Sequence, residues 1–493
     1  MIQNTLLLTL LLPSVSVPLV YLTGRKSAKA AAVLIALVAL ADIALLSTTV
    51  PTILGGTEHR YVESYRWIPV LNSSFTLFVD GVSLSMAIVT LILILAAALF
   101  SVDYMRERKG LAEYYALLSL LFIGLLGVFI TSNLMFFYFC WELMLVPTYF
   151  IIGGWGHREP YRAAFKFFIF THAGAVFVLL GIGGIFMVTG GLDMFQAQTA
   201  LMTAHSDIVK WILLSLTAGF AVKMAIVPVH MWLPDAYSEA PAPMSAILGG
   251  AITGAGAYAM LRVSLGTVFP AIMATDIGTG FLHGLAVFGV ISALLGSLIS
   301  TLQSDGKRII AYSSISHMGY VLFGLSLFSS PVAIAGTVLH LVNHAISKGL
   351  FFLSDGAVSQ QVKTRDIREM GGLAGEMPIT ATCSTTAALS IGGIPPFACF
   401  ISELLIFVGA FQTIDSDGFY LLPTTLMLVA TVLSLAYVMR YVSHVFFGTV
   451  KLEKVKEAPF FMKISMIILA VLVVILGIWP TLFLSLINTF RLV

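Results

Sequence analysis

Residues 379–411 read ITATCSTTAALSIGGIPPFACFISELLIFVGAF. The stretch is long and apolar enough to cross a bilayer, because about 20 such residues span a hydrocarbon core of about 30 Å. It cannot be one regular helix. Gly392-Gly393 is followed by Pro395-Pro396, and proline lacks the backbone N–H while its ring blocks the carbonyl four residues back. Two half-helices are therefore predicted, with Glu403 seven residues past Pro396. Broken helices at membrane depth occur where a polar cavity satisfies the freed backbone groups. A second break is read at Pro228, five residues after Lys223, in the apolar run 208–229.

The surrounding chain has 493 residues, 59% of them hydrophobic and 10% charged. A soluble domain carries roughly a quarter of its residues as Asp, Glu, Lys or Arg, so a soluble enzyme is excluded. About fourteen apolar segments of spanning length follow one another. They run 5–22, 28–50, 82–102, 114–130, 134–154, 165–189 and 208–229, then 244–265, 281–302, 309–328, 332–353, 379–411, 420–446 and 462–483. The predicted fold is all-α: a polytopic membrane protein of about fourteen transmembrane helices, the seventh and twelfth broken. The two breaks lie five segments apart. Because five is odd, two inverted five-helix repeats are expected, about 114–265 and 281–446. Peripheral helices 1–102 and 462–483 complete a single domain over 1–493. The first segment lacks the charged start and cleavage site of a signal peptide and is read as a helix.

The 26 Lys and Arg set the direction, since short cytoplasmic loops collect them. Nineteen fall on the side of Arg25, Lys26 and Lys29, among them Lys307, Arg308, Arg365, Lys451 and Lys454; Arg60, Arg66, Lys210, Arg262 and Arg491 fall opposite. Both termini are thus expected on the non-cytoplasmic side. The polar stretch 51–76 reads as an extracytoplasmic loop and 355–378 as a cytoplasmic one with a solvated, mixed-charge face. Net charge is only +2, so no basic field points to nucleic acid. Cys140, Cys383 and Cys399 lack metal-ligand or redox spacing and read as core residues.

Two lysines, Lys223 and Lys348, belong to no loop. An ionisable group at bilayer depth costs several kcal/mol, so it normally faces a partner and marks an ion path. Glu142, in Phe139-Cys140-Trp141-Glu142-Leu143-Met144, and Lys223 are expected to form a switchable pair in one dry pocket. His340, His344 and Lys348 are spaced by four and share a helix face. Histidine titrates near neutral pH, which suits a relay; for His340 the competing reading is a satisfied core histidine. Two metal ligands at that spacing are set aside, because no nearby Cys or carboxylate completes a site. His317 and His172 are candidates to extend the path. His230, Asp235 and Glu239 in the Pro-rich loop 228–243 either form a proton entry or cap the eighth helix. Asp42 reads as structural.

Three longer runs carry a resemblance. Phe139 to Phe150 with Trp141-Glu142, Val222-Lys223-Met224 leading to Pro228-Val229-His230-Met231-Trp232-Leu233-Pro234-Asp235-Ala236, and Lys307-Arg308 leading to Ala311-Tyr312-Ser313-Ser314-Ile315-Ser316-His317-Met318-Gly319 resemble the antiporter-like membrane subunits of respiratory complex I. Glu403 resembles the chain 4 (chain M) type, where chains 2 and 5 have a lysine. The resemblance implies fourteen helices, two inverted repeats and one proton channel, with Glu142, Lys223 and Glu403 as relay residues. One position departs. The chain M pattern has a lysine in the eighth helix shortly before a Gly-Ala-Tyr; here Gly254 precedes Gly256-Ala257-Tyr258. Lys348 with His344 is similar to the eleventh helix of chain 5 and of multisubunit sodium/proton antiporters, and is expected to replace that lysine.

The resulting expectation is a proton-translocating subunit in an energy-transducing membrane, of prokaryotic plasma-membrane type, driven by redox chemistry elsewhere. Its site residues are Glu142, Lys223, Lys348, Glu403, His344, His340, His317 and His230. No cofactor or metal is expected in this chain: the glycines form no phosphate loop between strand and helix. Expected partners are neighbouring antiporter-like and other membrane subunits, peripheral-arm redox subunits and lipids. The alternative is a subunit of a multisubunit cation/proton antiporter with no oxidoreductase attached; a passive scaffold would not need aligned buried charges.

Overall fold

The computed structural model describes residues 4–69, 73–450 and 455–490. Two short helices aside, Met194–Leu201 and Thr481–Ile487, helices follow the apolar segments one for one. In chain order they are α1 (Thr5–Gly24), α2 (Ala28–Gly55), α3 (Gly81–Tyr104), α4 (Leu111–Ile130), α5 (Leu134–Trp155), α6 (Pro160–Thr189) and α7a (Ser206–Met224) with α7b (Leu233–Glu239). Then come α8 (Ala242–Ile272), α9 (Asp276–Leu302), α10 (Gly306–Ser326), α11 (Pro331–Val362), α12a (Pro378–Ile391) with α12b (Ala398–Ile414), α13 (Gly418–Phe446) and α14 (Phe460–Ile478). Eleven of these are long and apolar enough to cross a membrane outright. The other three are the two broken helices and α11, whose polar stripe dilutes its apolar face. Lys451, Lys454 and Arg491 lie outside the described residues.

Both breaks begin four residues before a proline. Helix α7a ends at Met224, ahead of Pro228, and α12a at Ile391, ahead of Pro395. This is where the ring would meet the i−4 carbonyl. The seventh break therefore opens directly after Lys223, earlier than the position read from sequence, with Ala225 in a left-handed conformation at φ 57°. Freed backbone groups find side chains: Trp232 Nε1 donates to the Val222 carbonyl at 2.9 Å, the Val227 N–H donates to Ser292 Oγ at 3.0 Å, and Asn343 Nδ2 donates to the Ala398 carbonyl at 2.7 Å. Both breaks carry a cis X-Pro bond, Val227–Pro228 and Pro395–Pro396.

Helices α8, α10 and α11 form the centre. No residue of α8 is exposed, and two π-helical turns, Leu248–Ile252 and Met260–Val268, widen its backbone. The periphery presents bare apolar side chains, such as Val15 and Leu22 of α1, Leu180 and Met187 of α6 and Val432 of α13. That face suits lipid or neighbouring apolar helices. Close helix approach is written into glycine: a Cβ on Gly127 of α4 would lie 2.2 Å from Cys140 Sγ of α5. All three cysteines are buried and unpaired, as read from sequence.

Several loop assignments need correction. The segment 51–76 is no simple loop, since β1 (Arg60–Ile68) and β2 (Ser73–Asp80) pair as an antiparallel hairpin. Its Glu63 accepts from the Leu6 and Leu7 N–H groups at 2.9 and 3.0 Å, occupying the positive end of α1. Arg262 is not a loop residue either. It sits in the second π-helical stretch of α8, 6% exposed, and its guanidinium reaches both Asp80 carboxylate oxygens at 2.8 and 2.6 Å. Asp80 also caps α3 through the Ser83 N–H, so one carboxylate ties the hairpin, α3 and α8 together.

Removing one partner of a buried ion pair costs about 3–5 kcal/mol, because the other charge is left uncompensated. Arg262→Ala is expected to lower the thermal midpoint of the purified protein, and Asp80→Asn/Arg262→Leu to recover much of the loss. Equal melting of Arg262→Ala and wild type would show that the pair contributes nothing.

Candidate proton pathway

Apart from Asp42 and the Arg262–Asp80 pair, the ionisable groups inside the bundle fall into three clusters among the described residues. The first sits on α5 to α7a. Pro147 of α5 cannot donate to the Leu143 carbonyl, and the helix is interrupted at Met144, beside Glu142. Glu142 Oε2 lies 3.6 Å from His172 Nδ1 of α6, while Lys223 Nζ lies 4.9 Å from the Trp141 ring centroid. Glu142 and Lys223 make no ion pair within 4.0 Å, but the two charges still interact across a longer gap. Adjacent residues on a helix point about 100° apart, so Trp141 faces α7a and Glu142 turns toward α6. Lys223 is 2% exposed and held by a cation–π contact in the last turn before the break.

The second cluster occupies the middle of the second half. Lys348 donates to the Ile310 carbonyl at 3.2 Å and to the Ser313 hydroxyl, both on α10. One and two turns earlier on α11 stand His344 and His340, both fully buried. His340 Nε2 is 3.2 Å from His317 Nδ1 of α10, and His317 Nδ1 is 3.9 Å from Glu403 Oε1 of α12b. Ser402 Oγ holds His340 Nδ1 at 3.0 Å, and Tyr437 of α13 holds His317 Nε2 at 3.4 Å. Four helices so converge on one line from ammonium to carboxylate. The His344 Nε2 and Asn343 Oδ1 atoms are buried without a protein partner, the kind of group that an internal water satisfies.

Between the clusters stands α8. A Cβ on Gly256 would lie 3.1 Å from the Lys223 Cβ, so only a glycine lets α8 pass this close to the lysine. At Gly254 the only neighbour within 4 Å of such a Cβ is the Met86 methyl, at 3.2 Å. The backbone there has room for a side chain that the sequence does not supply.

The third cluster, of which only Asp235 and Glu239 were singled out in the sequence, lies at the end of the bundle that carries Arg308 and Arg365. Lys307, wholly buried, donates to the Ala240 carbonyl at 2.6 Å. Asp235 joins Lys166 at 2.7 Å to Arg308 at 3.2 Å. Arg365 pairs with Asp305 at 2.8 Å and reaches Glu239 at 3.7 Å, so part of 355–378 is an internal ion network and not a solvated face. Asp355 is buried against Tyr441 Oη at 3.0 Å, because α11 runs on to Val362. A signal existed: Asp355 is seven residues past Lys348, two turns along the same face. Residues 233–239 form α7b and not a loop, and Glu239 accepts from the Arg158 and Glu159 N–H groups at 2.6 and 3.0 Å. It caps the sixth helix, where the eighth was expected as one alternative. His230 lies in the α7 break, half-buried. Asp42 is wholly buried with neither carboxylate oxygen partnered.

Residues 131–434 match the NADH:quinone oxidoreductase/Mrp antiporter transmembrane family, and residues 67–115 match the chain 5 N-terminus of NADH-ubiquinone oxidoreductase (complex I). The first match covers more than half of the chain. The chain belongs to this antiporter-like family. Within it, the chain is of the chain 4 (subunit M) type. It is 36% identical over 440 residues to NADH-quinone oxidoreductase subunit M of Pseudomonas aeruginosa, covering 86% of this chain and 83% of that one. It is 32% identical over 431 residues to F(420)H(2) dehydrogenase subunit M of Methanosarcina mazei, covering 86% and 84%. Its fold is like that of a chain of respiratory complex I from Thermus thermophilus with bound NADH, with TM-score 0.84 at 22% identity over 98% of both chains. In this antiporter-like subunit Glu403 is the carboxylate of the central line and Gly254 leaves α8 without a base.

Glu239→Ala would strip two backbone N–H groups of their acceptor and Arg365 of a partner, a loss of about 1–3 kcal/mol. Hydrogen exchange at the first turn of α6 is expected to quicken with it; exchange at the wild-type rate would show that the cap does not hold that turn.

Proposed function

We propose that this chain is a proton-translocating membrane subunit of a complex I-like oxidoreductase, with no redox chemistry of its own. Protons move along Glu142, Lys223, Lys348, His344, His340, His317 and Glu403, driven by redox reactions in other subunits. The observation that carries this reading is the row of buried ionisable groups Lys348, His344, His340, His317 and Glu403 inside a helical bundle, since ionisable groups at that depth are costly unless they serve an ion path. Work arrives as a shift of field or conformation: moving one charge against 100 mV costs about 2.3 kcal/mol, comparable to the free energy of a pKa change of one to two units. Imidazoles at the centre favour protons over sodium, a hard ion that takes oxygen ligands.

Lys348 supplies the central base that Gly254 lacks. Segments 114–265 and 281–446 act as two inverted repeats, each bringing its broken helix to the relay. In this reading the ion network of Asp235, Glu239, Asp305, Lys307, Asp355 and Arg365 forms the cytoplasmic mouth and both termini lie on the opposite side, a direction that the lysine and arginine distribution supports. Partners are further antiporter-like membrane subunits and the redox subunits of a peripheral arm. A cation/proton antiporter without an oxidoreductase is the second reading, favoured by the similarity of the Lys348–His344 pair to such antiporters. Iron–sulfur proteins co-purifying with the chain would support the first reading, and their absence the second.

In the complex reconstituted into vesicles, Glu142→Gln, Lys223→Ala and Lys348→Ala are each expected to lower proton transport about tenfold or more, because each leaves an uncharged gap at membrane depth. Normal pumping by Lys348→Ala, with Lys223→Ala inactive, would refute the substitution of Lys348 for the missing α8 lysine.

A further inference from the structure

The spacing of His340 and His344 alone offers no complete metal site, since it lacks a carboxylate. The fold supplies one. His317 of α10, His340 of α11 and Glu403 of α12b each present one ligand atom, and these atoms all lie within 4.8 Å of one another. Two ligands on a tetrahedral zinc ion, at bond lengths near 2.1 Å, stand about 3.4 Å apart. The His317–His340 and His317–Glu403 separations of 3.2 and 3.9 Å bracket that edge and the His340–Glu403 edge is within 4.8 Å, so a small ion can seat once the side chains, chiefly His340 and Glu403, close by about an ångström.

The outer groups fit as well. Metal-bound imidazoles almost always hydrogen-bond through their second nitrogen, which fixes ring orientation. Here Ser402 Oγ holds His340 Nδ1 at 3.0 Å and Tyr437 Oη holds His317 Nε2 at 3.4 Å, leaving His340 Nε2 and His317 Nδ1 turned toward each other. The twelfth-helix break brings the carboxylate close to the edge of the bundle. Pro395 and Pro396 are exposed and Gly393 is half-buried, while a Cβ on Gly393 would lie 2.6 Å from Glu403 Oε2. The carboxylate thus stands directly behind a glycine at the protein surface, and three protein ligands leave a fourth position for water.

We propose that His317, His340 and Glu403 form a binding site for a borderline divalent cation of the Zn2+ class, and that the bound ion plugs the relay. The ion ties up the two facing imidazole nitrogens and the terminal carboxylate at once, so no proton can pass from His340 to Glu403. The inhibitory half rests on the proposed relay; the binding half does not.

The test uses the whole purified complex, stripped with chelator and loaded with Co2+ as a spectroscopic probe. The wild type is expected to take up one more ion per chain than His317→Ala or Glu403→Gln, with a tetrahedral Co2+ absorption band that those variants lack. Ser402→Ala keeps all three ligand atoms and is expected to weaken binding about 10–100-fold. His205→Ala, an exposed histidine on a remote loop, should keep the band. Equal uptake and spectra in wild type, His317→Ala and Glu403→Gln, or full-strength binding in Ser402→Ala, would overturn the site. In vesicles, added Zn2+ should block proton transport by the wild type at concentrations tenfold or more below those needed for Ser402→Ala. An ion that binds as described and leaves wild-type transport untouched would overturn the relay through these residues and leave the site standing.

Discussion

A charge or an open backbone group at bilayer depth has no water to turn to, and must find its partner within the protein. The architecture follows from that constraint. Breaking α7 and α12 frees carbonyls and N–H groups, so Trp232, Ser292 and Asn343 are placed to meet them. Burying Lys348 demands acceptors, which α10 provides through Ile310 and Ser313. Burying Arg262 demands a carboxylate, and Asp80 serves both it and the start of α3. Apart from Trp232, which bridges the two halves of α7, each partner lies on a different element, and the same contacts that neutralise the polar groups also fix how the elements pack.

Helix α8 is the element that makes the two halves one device. It passes between Lys223 and the Lys348 cluster with small residues, Thr253 to Ala257, and with π-helical turns on either side. Such turns leave backbone groups less regularly paired and recur at functional sites. In the proposed relay, with no base at Gly254, a proton would cross α8 on water or pass directly to the Lys348 side, and the ammonium held by Ser313 would stand at the hinge of the path.

Much of this was legible in the sequence, and its physical basis is specific. Span lengths are set by bilayer thickness, so the apolar runs match the helices. Pro228 and the Gly-Gly/Pro-Pro run at 392–396 located both interruptions to within a turn, although α1 runs on through Pro13 and Pro18. Four-residue spacing put His340, His344 and Lys348 on one face. What the sequence could not give was which helices meet. His317 and Glu403 are 86 residues apart in the chain, and only tertiary packing brings both to His340. Rotation about a helix axis was equally hidden, so the turn of Glu142 toward His172 did not show. Loop assignment by charge failed for Lys307, Arg365 and Arg262, because a cation near a helix end is read as solvated whether or not a carboxylate waits inside.

The central claim is that a proton arrives at and leaves Glu403 during turnover. Infrared difference spectroscopy on the complex, with carbon-13 in its glutamate carboxyl groups, measures this directly. A carboxylic-acid C=O band that rises and decays under turnover, shifts with the isotope and vanishes in Glu403→Gln is the predicted result. Turnover spectra of wild type and Glu403→Gln that are identical in the carboxyl region would contradict the account.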